Sequence, residues 1–252
     1  MGDTSAVDEL MANAWPPQVT ERVGSWRYRW ASGVTRRANS VLALGEAGDL
    51  DELIANAEQF YRFRHARPVF QVTSASTPAS LVDELEARGY RPSARTLVLD
   101  ADPEVVVDST MPAPSFVRRI DVRPTGSWFD TYWSVETTRG RMQGDDAIYR
   151  DVLLRPPLPA SFVTVGDGRE VFGVGQVVVE RGFAGVQCMA TPPARRRRGA
   201  ATAVLNALAT EARVLGAERM YLAVMADNAG ARSMYERAGF RRAHEYCYYS
   251  AP

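Results

Sequence analysis

The run "ATPPARRRRGAATAVLNAL" (190–208) sets four arginines directly before a glycine, two alanines and an apolar-periodic stretch. Phosphate binding is the chemistry this arrangement suits. The first N–H groups of a helix lack intrahelical partners and lie at the positive end of its dipole, so an anion there is stabilised. Gly199, Ala200 and Ala201 carry almost no side chain, which lets a pyrophosphate approach those amides. Arg196, Arg197 and Arg198 add long-range attraction and a planar fork matched to phosphate oxygens. A solvated charge run is the plain alternative, but such runs seldom coincide with a small-residue helix entry. A nucleic-acid patch fits poorly. Lys+Arg and Asp+Glu both number 30, and no aromatics interleave with the arginines.

The loop needs a strand before it and a helix after it, and the sequence predicts both. Val204, Leu205, Leu208, Ala212 and Leu215 form one apolar stripe from Ala200 to about Leu215, which Gly216 ends. Upstream, "SFVTVGD", "VFGVGQVVVE" and "GFAGVQCMA" read as strands, the last two joined at Arg181-Gly182. Two helices, "TGSWFDTYWSVETTRG" and "GDDAIYRDVLL", precede them. "RMYLAVM" is a strand, "AGARSMYERA" a helix capped by Gly239, and "AHEYCYYS" a final strand.

An internal repeat organises the chain. At an ungapped offset of 150 residues, "LEARGYRPSARTLVL" (85–99) lies over "YERAGFRRAHEYCYY" (235–249), with Gly89-Tyr90 on Gly239-Phe240. "VFQVTS" falls on "RMYLAV", and "DLDELIANAEQFY" on "GAATAVLNALATE". Residues 101–116, with three prolines and little periodicity, read as a linker between an N-terminal domain (1–110) and a C-terminal domain (117–252). In the first half, "GEAGDLDE" (45–52) takes the place of "RRRRGAAT", and its four carboxylates would repel a pyrophosphate.

The spacing Arg196-x-x-Gly199-x-Ala201, followed by Asn228, Ala231, Tyr235 and Gly239-Phe240, resembles the GCN5-related N-acetyltransferases (GNAT) over roughly 117–250. The expected fold class is therefore α/β, with two GNAT-like mixed-sheet domains in tandem. Only the C-terminal one carries the acyl-CoA loop. The resemblance implies that Cys188, Met189 and Thr191 hold the pantetheine arm through backbone groups. Asn228 and Ala231 would support the cofactor, with Tyr235 both contacting it and acting as general acid toward the departing thiolate. An amine attacks the thioester directly, so Cys188 is read as a small buried strand residue and not as a nucleophile. Many relatives place a glutamate on the strand before the loop, whereas this strand has Gln187. Glu180, Glu136 and Asp130 are the carboxylates within nominal reach, and a water relay with no dedicated base is the alternative. Trp128, Tyr132, Trp133, Arg139 and Tyr246 would build the acceptor wall. Arg36, Arg37 and Asn39 stand at the matching position of the first half, facing an acceptor or bridging the domains.

Two cysteines without CxxC spacing and two histidines make neither a disulfide framework nor a metal site. The acidic N-terminus is unlike a signal peptide, and no apolar run reaches the roughly 18–20 residues of a membrane span. The expectation is a cytoplasmic enzyme, monomeric or homodimeric, without metal, membrane or nucleic-acid partners. It would transfer acetyl from acetyl-CoA to a primary amine of a small molecule. A protein or peptide amine is the rival acceptor, and a CoA-binding sensor or scaffold without turnover the rival class.

Overall fold

The computed structural model describes residues 4–46, 48–111, 116–138, 140, 145–156 and 159–252. Arg139 lies outside them. Contacts divide the chain into two compact units, Met1–Leu97 with Ala243–Pro252, and Val98–Arg242.

The first unit begins with α1 (Thr4–Ala14), β1 (Val19–Val23), β2 (Trp26–Trp30), β3 (Val41–Leu42), α2 (Leu50–Arg62), β4 (Val69–Thr73) and α3 (Leu81–Ala87). β1, β2 and β3 are antiparallel in sequence, and β3 runs parallel to β4. The helical spacing of Leu53, Ile54, Ala57, Phe60 and Tyr61 turns one face of α2 onto this sheet. That face packs with Trp26, Tyr28, Phe70, Leu85 and Tyr90 in one aromatic-rich core.

β5 (Arg91–Ala101) crosses the boundary into the second unit. There follow α4 (Pro103–Ser109), β6 (Val117–Asp121), α5 (Gly126–Thr138), α6 (Asp146–Leu154), β7 (Ala160–Gly166), β8 (Val171–Glu180) and β9 (Phe183–Ala190). α7 (Ala200–Val214), β10 (Arg219–Met225) and α8 (Ala229–Arg237) complete it, before β11 (Arg241–Ser250). β6 to β9 form an antiparallel meander, and β10 returns parallel to β9 across the α7 crossover. Phe162 pairs with Gln176 and Val163 with Gly175, so the two pairs point to opposite faces. α5 covers the first face, where Trp128 meets Phe162 edge-on at 5.1 Å. α7 covers the second, where Val204 and Leu208 stand over Gly173 and Gly175. Among the described residues no helix is long and apolar enough to cross a membrane.

The repeat is visible in the backbone. α2 and α7 begin at Leu50 and Ala200, β4 and β10 at Val69 and Arg219. Gly89 and Gly239 each end a helix in the left-handed region, φ +86° and +93°. In both, the next amide bonds five residues back, Tyr90 to Leu85 and Phe240 to Tyr235.

Two boundaries differ from the sequence reading. The expected linker holds α4, which starts as an Asp-Pro-Glu cap: Asp102 accepts from the Glu104 amide and Pro103 occupies the first turn. Asn206 of α7 donates to Val107 O (3.1 Å), which ties α4 down. The final strand, grouped above with the C-terminal domain, joins the first unit, because residues 246–250 of β11 pair antiparallel with β4 from Thr73 back to Val69. Tyr249, 7% exposed, enters the first core. Tyr249→Ala is therefore expected to destabilise the N-terminal unit by about 3 kcal/mol. Denaturant unfolding would measure it, with hydrogen exchange of the β4 amides accelerating in parallel.

Candidate functional site

β9 and β10 pair from Arg219↔Phe183 to Leu222↔Val186, and beyond that register no pairing continues, although β9 runs on to Ala190 and β10 to Met225. The two parallel strands splay there. On its other side β9 carries a bulge. Gln176 pairs with Gln187 and Val174 with Ala190, so the single residue Gly175 faces both Cys188 and Met189. Cys188 is left-handed (φ +56°), a costly conformation for a residue with a Cβ. The bulge keeps Cys188 near the Gln176 side chain (Sγ to Oε1, 3.7 Å), whereas Met189 reaches the α7 face. β9 thus parts from β10 after Val186 and bulges against β8 at Cys188 and Met189, the stretch to which the resemblance assigns the pantetheine arm.

The arginine loop starts at the end of this strand. Arg196 Nε donates to Thr191 O (3.2 Å), closing the turn. Arg195 is committed elsewhere, paired with Glu170 and stacked 4.5 Å from the Phe172 ring centre. Arg196, Arg197 and Arg198 are exposed. Arg197 (φ +61°) and Gly199 (φ +82°) are both left-handed, and such alternation turns successive N–H groups to one side of the chain. Gly199 is the N-cap of α7 and supplies no side-chain acceptor, and the first turn holds no acidic residue. The first turn of α7 therefore lacks the side-chain cap that Asp, Ser or Asn would give it. Ala200 is buried and Ala201 half-buried, and a Cβ built on Gly199 would stand 3.6 Å from the Phe116 ring.

The other repeat shows the contrary arrangement at the matching residue. Asp49, 150 positions before Gly199, is the N-cap of α2, and its carboxylate accepts from the Glu52 amide (3.0 Å). Asp51 and Glu52 fill the first turn with negative charge. Thr77 N–H donates to Ala43 O (3.1 Å) and its hydroxyl to Gly45 O, so the loop after β4 covers the chain end leading to α2. The Trp26 indole fastens that loop through Thr77 O (3.1 Å).

The other predicted residues fall into four groups. Asn228 caps α8 by accepting from the Ala231 amide (3.3 Å). Tyr235 is buried on α8, with Phe240 edge-on at 5.8 Å. Glu180 pairs with Phe183 at the closed end of the hairpin, five residues from Cys188 along β9, about 16 Å at ~3.3 Å per residue. It lies beside Arg181 and away from the splay. Asp130 faces Arg150 in the solvent-exposed seam with α6 (3.6 Å). Glu136, half-buried on α5, lies one turn beyond Tyr132. The acceptor wall is largely core. Trp128 is fully buried, Tyr132 packs against it at 5.5 Å, and Trp133 stacks on Phe129 and meets Tyr149. Tyr246 belongs to the N-terminal unit, opposite Thr73. Asn39 closes its own loop by accepting from Ala31 and Gly33 amides, and Arg37 lies on the Trp15 ring. Sequence reasoning passed over Gly175 and Gln176, which look like ordinary strand residues until the register is known.

Residues 2–249 match the family described as "Probable histone acetyltransferase Rv0428c C-terminal". An "Uncharacterized N-acetyltransferase YobR" from Bacillus subtilis is 29% identical over 249 residues, covering 98% of each chain. A GCN5-related N-acetyltransferase from Kribbella flavida superposes with TM-score 0.71 at 16% identity, over 100% of this chain and 96% of that one. A tandem GNAT protein from the clavulanic acid biosynthesis pathway gives 0.68 at 12%, over 97% and 87%. The chain belongs to this acetyltransferase family and is an N-acetyltransferase of the GNAT type.

Proposed function

We propose that the C-terminal unit transfers acetyl from acetyl-CoA to a primary amine of a small molecule by direct attack, and that the N-terminal unit binds no donor. The observation that carries this reading is the uncapped, glycine-led mouth of α7 at the end of a bulged, splayed strand. A CoA pyrophosphate fits that mouth: amides of 199–201 would bind it, with Arg196, Arg197 and Arg198 around it. The bound donor supplies an activated acyl thioester.

The chain's residues then have separate tasks. Backbone groups of Cys188, Met189 and Thr191 orient the arm along β9. Tyr235 delivers a proton to the departing sulfur. No carboxylate stands on β9 beside the splay, so the amine's proton leaves through water. Asp49 and the Thr77 loop exclude a second donor from the N-terminal unit.

The family description favours a second acceptor class, protein amines. A panel of small amines tested beside lysine peptides for CoA release separates the two. All 30 basic side chains are arginine, so the enzyme contributes no ε-amine background to such an assay.

Calorimetric titration is expected to show one equivalent of acetyl-CoA per chain, and two equivalents would sink the one-site reading. Gly199→Glu, which places a carboxylate in the mouth, should weaken binding at least ~10-fold, about 1.4 kcal/mol. Unaltered affinity would remove the loop from its role. Tyr235→Phe should keep acetyl-CoA affinity while lowering kcat by ~10²–10⁴-fold, the range of a positioned acid.

A further inference from the structure

The bulge in β9 is held from both faces of the sheet, and the α5 side of that grip uses polar groups that contact nothing exposed. Trp128 Nε1 donates to Gly175 O (3.1 Å), the carbonyl of the one residue that faces two. Gln176 is fully buried, and its Oε1 accepts from Cys188 Sγ (3.7 Å). Its Nε2 has no hydrogen-bond partner. Exchanging the amide's oxygen and nitrogen would only move the orphan atom to the oxygen. A buried amide end without a partner costs stability, and leucine would fill the same strand position without that cost. On the α7 face, a Cβ on Gly175 would stand 2.8 Å from Val204 and Leu208 and 2.9 Å from Met189 Sδ, so the strand cannot relax that way.

We infer that Trp128 and Gln176 are positioning residues for acyl transfer, acting through the Gly175–Cys188 bulge to aim the β9 backbone at the thioester. The inference rests on the reading that β9 carries the donor's arm. Neither side chain touches substrate. Trp128 pins the lone β8 residue, and Gln176 holds the left-handed Cys188 toward the α5 face. Together they set where the Cys188 and Met189 backbone groups lie, to the fraction of an ångström that a reacting carbonyl requires. Trp128 thus moves from the predicted acceptor wall to the support of the strand.

The test compares Trp128→Phe, which keeps a ring against Phe162 but loses the N–H, with Gln176→Leu, which removes the acceptor and the orphan amide together. Each is expected to lower kcat ~10–100-fold, with affinity for CoA itself within ~2-fold of the parent. Gln176→Leu should melt at the same temperature or higher. A simple packing role predicts otherwise: lower melting temperatures and unchanged kcat in the folded fraction, or CoA affinity lost in step with stability. Either result overturns the inference. Should the parent chain release no CoA with any amine, the acetyltransfer reading of the site fails separately. The ¹⁵N amide resonances of Cys188 and Met189 then decide the clamp alone. They should shift in both variants, and unchanged resonances would refute it.

Discussion

The close approach of α7 to β8 is the constraint on which the C-terminal unit depends. Gly173 and Gly175 leave no Cβ between the helix and the strand, and Val204 and Leu208 occupy that space. Beneath that helix Gly175 faces both Cys188 and Met189, and the extra β9 residue is accommodated by a left-handed backbone at Cys188. A bulge bends and twists the strand that bears it. β9 departs from β10 after Val186, and the arginine loop follows the end of β9. The close helix approach, the splay, the left-handed residue and the start of the loop thus fall within one stretch of β8 and β9.

Two copies of the same supersecondary unit show how little is needed to change a helix mouth from open to closed. The backbones agree at α2 and α7, at β4 and β10, and at the glycine caps of α3 and α8. The difference is chemical and local. Asp49 satisfies its own helix end and adds negative charge at the positive pole of the dipole, whereas Gly199 does neither. The chain then completes the contrast by folding Thr77 against the carbonyls of Ala43 and Gly45. A helix N-terminus that caps itself gains stability and loses the capacity to bind an anion.

Aromatic residues in the C-terminal unit serve mainly to join layers. Trp133 couples α5 to α6 through Phe129 and Tyr149, while Trp128 and Tyr132 fill the space between α5 and the sheet near Phe162. Such side chains bury large apolar area, and the indole N–H of Trp128 finds a carbonyl inside. A buried polar side chain stands where the strand register is irregular. Gln176, fully buried between Phe162 and Gln187 in register, is the clearest instance, because the fold tolerates its unmatched nitrogen.

Much of this was legible in the sequence because it depends on local patterns. Helical and strand periodicity, the glycine stops and the 150-residue recurrence each reflect short-range geometry that side chains impose directly. The open mouth of α7 was legible too, since a helix end bare of Ser, Asp or Asn is visible as Gly199-Ala200-Ala201. α4 was misread because the proline that begins a helix looks like one that breaks it, until Asp102 and Asn206 are seen around it. The partners of β11 could not be read at all, because its alternation suits any antiparallel neighbour; the fold sets it between β4 and β5, with Tyr249 in the first core. Nor could the roles of Trp128, Glu180 and Gln176. A strand's register decides which residues share a row, and register is a property of two strands together. The sequence by itself determined most of the helices and strands and which helix begins without a capping side chain. Tertiary structure alone decided the bulge, because one residue facing two exists only once β8, β9 and α7 are packed.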